Sequence, residues 1–365
     1  MVLLSFKKPL STRSFLFSCF LILNFISKGQ LSLEKIFSYA LDGNITEVLK
    51  TIEIDPSQHL SAKDSTIKIK FEERFKYSAD KSNYLSSRKS AIDSLLFIYH
   101  NYWRLSLLNP SKNYDDLLKK DLVKFLSAKN KSAKKLTSKS NDDDLSSELK
   151  KYISSTGLHT TGYGNTGKLK DLLVWATEKD TTYNFEINGE HISARVFLMD
   201  KFITLGWEEY ATLDKLYPGG WATHEALYCV EKAYDLKSEN FLISYLAHEG
   251  RHFADYKLFP ELVSTDLEYR AKLTELSMAN ETLFTTIQIF IINANYESDN
   301  DHQVANYCVI RDLSKLLFKT EFEKDLTKWK TFNVEIIHTA AVQALNTNTG
   351  DLKKEGKGVK KFIKK

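Results

Sequence analysis

The sequence predicts an α+β fold: a helical N-terminal region, then a small antiparallel or mixed sheet, then a helical C-terminal part. Three observations predict it. From Leu31 to about Ala128, apolar residues recur at helical spacing. From Thr182 to Met199 they alternate, with Asn188-Gly189 at the midpoint as a tight turn. Beyond Ser238, helical spacing returns and holds to about Leu345. The chain has 365 residues, 42% of them hydrophobic and 12% aromatic, enough for a sizeable core in one large domain with extensions or in two domains.

The first 29 residues read as a signal peptide. Lys7, Lys8 and Arg13 precede a short apolar run, Phe15 to Ile26, and Ser27-Lys28-Gly29 offers small residues for cleavage before Gln30. The run is short for a membrane span, so no transmembrane span is expected after cleavage, and the protein is expected to be exported, periplasmic or secreted. Cys19 lies too early in the run to make a lipid anchor the leading reading. Cys229 and Cys308 then remain, and could pair in an oxidising compartment.

Residues 30–128 form the helical N-terminal region. Leu33, Ile36, Phe37, Ala40 and Leu41 lie on one face, Asp42-Gly43-Asn44 breaks the pattern, and Ile45 to Ile52 resume it. A longer helix runs from Ala91 through Trp103 to Leu108, where Asn109-Pro110 ends it. Residues 129–146 are polar and read as a linker between domains. Gly162 to Lys168 formally fits a phosphate-loop pattern. It lacks the preceding buried strand and has Leu169 where a hydroxyl is needed, so nucleotide binding is not expected.

The domain from 147 to 350 carries the chemistry. Gly219-Gly220-Trp221-Ala222 leads into a strand at Ala226 to Val230, and is either a turn or an edge strand open to an extended substrate backbone. Ser238 is placed to cap the helix that follows. On that helix stands His248-Glu249-Gly250-Arg251-His252, the pattern H-E-x-x-H. Positions four apart share a helix face, so His248 and His252 can grip one metal ion, while Glu249 points at the ion's open position. A catalytic zinc site needs a third protein ligand. Glu268 and Glu275 both qualify, seven apart on one face of the next helix, with the small Ala271 allowing close approach. Glu268 is the preferred candidate. The plainer reading of either carboxylate is a salt bridge with Arg270 or Lys272. Asp255, three residues after His252, is a candidate to orient a ligand histidine, or to pair with Arg251 or Lys257. Tyr269, Arg270 and His338 are candidates to stabilise an oxyanion, His338 being equally readable as a packed core residue. The lysine-rich end, residues 351–365, reads as a flexible basic tail. With a formal net charge of only +4, no nucleic-acid partner is expected.

This arrangement resembles the zincin metallopeptidases, and within them the gluzincins. The resemblance covers the sheet-then-helix order from about Thr182, the H-E-x-x-H helix, and Glu268-Tyr269-Arg270-Ala271. The metzincin continuation is absent, since Asp255 stands where its glycine would be and Leu258 where its third ligand would be. The resemblance implies one zinc ion held by His248, His252 and Glu268, with Glu249 as general base. The expected function is a zinc-dependent metallohydrolase, specifically a peptidase, in which Glu249 activates a metal-bound water to attack a peptide carbonyl. The alternative is a non-catalytic zincin-scaffold binding protein of the cell envelope.

Overall fold

The computed structural model of the protein describes residues 33–53, 62–78, 90–129 and 136–363, together with Ser14–Phe15. The expected signal peptide, and with it the cleavage site, lies outside the described residues apart from Ser14–Phe15.

The fold is mixed α+β, and its contacts divide it into two compact units. The first runs to Ala176 and also takes in Lys201–Tyr217. It holds α1 (Leu33–Leu41), α2 (Ile45–Glu53), α3 (Ala62–Phe71), α4 (Ser90–Leu108), α5 (Asp115–Lys129), α6 (Asp142–Ser154) and the short α7 (Trp207–Ala211). The breaks fall where turn chemistry places them. Gly43 takes a φ of 71° after α1, and the Asn44 side chain accepts the Glu47 amide at the start of α2. The core of this unit gathers Ile36, Ile45, Val48, Tyr99, Trp103, Leu122, Leu149 and Trp207. Arg74, buried here, donates to the Tyr210 carbonyl at 2.6 Å.

The main sheet has five strands in the order His159–Thr160, Leu173–Ile187, Glu190–Leu205, Leu227–Val230, Gly220–Ala222. Its centre is the expected hairpin, longer than the alternation suggested, turning on Asn188 (φ 48°) and Gly189 (φ 81°). Glu190–Leu205 and Leu227–Val230 run parallel, and Gly220–Ala222 is an antiparallel edge. The turn end of the hairpin, Thr177–Asp200, belongs to the second unit with the chain from Pro218 onward. The unit boundary therefore crosses the hairpin, and does not fall at the polar stretch 129–146. The end of that stretch starts α6, with Asn141 accepting the Asp144 amide at 2.8 Å, and residues 130–135 lie outside the described residues.

The second unit is dominated by helices: α8 (His248–Leu258), α9 (Ser264–Met278), α10 (Leu283–Ile292), α11 (Asp301–Phe318), α12 (Leu326–Trp329) and α13 (Val334–Glu355). Helix α9 packs against α8, α11 and α13, and every residue from Thr265 to Ser277 is buried. Five of these are of charged type: Asp266, Glu268, Arg270, Lys272 and Glu275. Buried charge is costly unless paired, so each needs a partner, and tracing those partners leads to the candidate site.

Two expectations change here. The basic C-terminus is docked through residue 363 rather than mobile. The Asp266 carboxylate accepts the Phe362 and Ile363 amides at 3.2 and 2.9 Å, Val263 donates to the Lys360 carbonyl at 2.7 Å, and Leu352 is fully buried. Cys229 and Cys308 are both free and buried, in separate apolar clusters, so they do not pair.

Candidate metal centre

The helix carrying the motif begins beside Ser238, whose hydroxyl accepts the Phe241 amide at 3.2 Å. Its first part, Asn240–Ala247, is wound as a π-helix before it tightens into α8 at His248. Such wide turns recur next to functional sites because they shift the register of the side chains that follow. Gly250 sits where a Cβ would press into the Phe185 ring at 2.6 Å and Ile187 at 3.1 Å. Its weak helix propensity is thus offset by close seating of α8 on the hairpin.

His248 and His252 project from one face of α8, rings 4.8 Å apart and nearly perpendicular. Their Nε2 atoms face each other at 3.1 Å. Glu268, one turn into α9, sets Oε1 at 3.2 Å from His252 Nε2 and Oε2 at 3.6 Å from His248 Nε2. One ligand atom from each of the three residues lies within 4.8 Å of the other two, and all three residues are buried. A tetrahedral ion with bonds of about 2.0–2.1 Å needs nitrogen donors about 3.3 Å apart, so the donor set and spacing fit zinc. On its other side, His248 Nδ1 meets Glu275 Oε1 at 2.6 Å, which orients the ring so that Nε2 is the nitrogen turned toward His252 and Glu268.

The electrostatics favour a cation. Burial alone pulls the His248 imidazole down, but the carboxylates of Glu268 and Glu275 outweigh it and hold its pKa up at about 10. Burial likewise raises Glu268, yet the charges of His302 and His248 hold it well below the usual carboxylate range. His252 is lowered, chiefly by burial. Glu249 is fully buried, and its carboxylate lies against the Ala222 backbone amide. Burial pushes its carboxyl up to about 8 against the pull of His248, and the Ala222 backbone amide also acts to lower it.

Other residues named from the sequence have different employment. Asp255 does not hold a ligand histidine. It takes both ends of the Arg270 fork, at 2.7 and 2.9 Å, while Arg270 also donates to Asn348 and Thr349. Arg270 is thereby committed to a buried ion pair rather than to an oxyanion. The Tyr269 hydroxyl donates to Asp312 at 2.9 Å, and His338 Nε2 meets the Ala279 carbonyl at 2.7 Å, so neither reaches the histidine cluster. Gly220–Ala222 is an edge strand, but its space is filled from within. Trp221 stacks on Tyr228 at 5.2 Å, and a Cβ at Gly220 would collide with Tyr245, one at Gly219 with Tyr234. Glu275 belongs with His248, and not in the ligand position that was its alternative.

One participant lay outside sequence reasoning. His302, the second residue of α11, places Nδ1 2.8 Å from Glu268 Oε2. It stands 34 positions beyond Glu268, with a helix and a loop between, so no periodicity marks it.

No family model, no curated protein and no solved structure matches the chain. The resemblance to zincins therefore stands on the residues of this centre.

Proposed function

We propose that the protein is a zinc-dependent metallohydrolase, specifically a peptidase, whose second unit is a zincin-like domain of the gluzincin type. The observation that carries this reading is the pair of imidazole Nε2 atoms 3.1 Å apart, with a Glu268 oxygen at 3.2 Å. That distance is met either by a proton shared between the rings, His248 being held charged by its carboxylates, or by a cation that both rings ligate. His248, His252 and Glu268 would hold the ion, leaving a fourth position open. Zinc bound there supplies a Lewis acid that polarises a carbonyl and acidifies water. Glu249, adjacent to the first ligand and fully buried, is the group that would take a proton and pass it to a leaving amine. The apolar N-terminal stretch supports export, so the substrate is a peptide or protein met outside the cytoplasm.

Replacing Glu249 by Gln keeps the shape and removes the base. In a peptide-library digest, Glu249→Gln should retain zinc and lose at least about 100-fold in cleavage. Equal cleavage by both proteins would remove Glu249 from the mechanism. A second reading, a non-catalytic zincin scaffold of the cell envelope, is favoured by one observation: His248, Glu249, His252 and Glu268 all have 0% exposure. Zinc binding without turnover in the wild-type protein would select it.

A further inference from the structure

Resting on the metal reading above, we propose that His302 is the positioning residue for Glu268. It would hold one carboxylate oxygen so that the other is presented to the ion.

The two oxygens of Glu268 have different surroundings. Oε1 faces His252 Nε2 at 3.2 Å. Oε2 is flanked by His302 Nδ1 at 2.8 Å and by Lys272 Nζ at 3.7 Å, with His248 Nε2 at 3.6 Å. His302 is not itself a ligand, since the residues whose donor atoms lie mutually within 4.8 Å are His248, His252 and Glu268. Its contact with Glu268 is through Nδ1 to Oε2. The backbone beneath is fixed. Asn300 caps α11 by accepting the His302 amide at 2.9 Å, and Thr265 at the start of α9 donates to Asp301. The start of α11 is thereby tied to the helix that carries Glu268. Second partners of ligand groups fix their orientation, and losing one costs about 10–100-fold in metal affinity.

The test is zinc affinity by chelator competition on the full chain, with the cobalt(II) absorption spectrum as a report on ligand geometry. His302→Ala should bind zinc about 10–100-fold more weakly and change the cobalt spectrum, with thermal unfolding of the metal-free protein unchanged. His302→Asn places an amide N–H near the position of Nδ1 and should restore most of the affinity. Wild-type affinity and spectrum in His302→Ala would overturn the positioning role alone. Loss in both variants, with no rescue by Asn, would overturn it as well. Failure of the wild-type protein to take zinc would overturn the metal reading, and this one with it.

Discussion

Within α9, two neighbouring ionisable residues serve different ends. Glu268 faces the histidines, whereas Arg270, two positions on, is fully buried and locked to Asp255 with both ends of its fork. A bidentate buried pair is sensitive to loss of one partner, because the charge left behind is uncompensated. Asp255→Ala should therefore destabilise the protein by about 3–5 kcal/mol in denaturant unfolding. A loss under about 1 kcal/mol would mean that Arg270 reaches water instead. What could be read at this scale was what helical spacing controls. The four-residue interval of His248 and His252 sets them on one face in any α-helix. The pairing of Asp255 with Arg270 depends on the mutual rotation of two helices, which no spacing within either one encodes. The same blindness hid the role of Glu275, whose seven-residue interval from Glu268 marked the face but not which carboxylate meets the ion.

The motif helix has to lie close on the sheet for its histidines to be turned toward α9, and Gly250 is where closeness is demanded. The propensity scale says alanine is better by about 1 kcal/mol in a helix. Contact with Phe185 and Ile187 says the opposite, since a Cβ there must displace a ring. Overpacking of this kind costs about 1–3 kcal/mol, so Gly250→Ala should be destabilising on balance, measured by the midpoint of chemical unfolding. A stabilised variant would show that the hairpin yields. The hairpin itself was legible because alternation and Asn-Gly are local signals. The edge strand was legible as a strand, but its occupants were not. The glycines imply close approach of something, and the Tyr234 and Tyr245 side chains lie where a Cβ at Gly219 or Gly220 would stand.

At the scale of the whole molecule, periodicity pointed to a mixed fold, but composition misjudged where it divides and where it ends. Lysine density made residues 351–365 look solvated. Asp266 anchors that segment through backbone amides, which carry no sequence signal. The polar stretch 129–146 resembled a linker because solvated helix starts and linkers share a composition. The division instead crosses two long strands, whose continuous alternation gives no sign of a boundary. The second unit assembles α8, α9 and α11 so that His248, His252, Glu268, Glu275 and His302 converge. The measurement that tests this most directly is the metal content of purified protein reconstituted with zinc, for wild type beside His248→Ala and His252→Ala. The predicted result is about one zinc per wild-type chain and none retained by either variant through dialysis. No zinc in the wild-type protein, or zinc retained equally by both variants, would contradict the account.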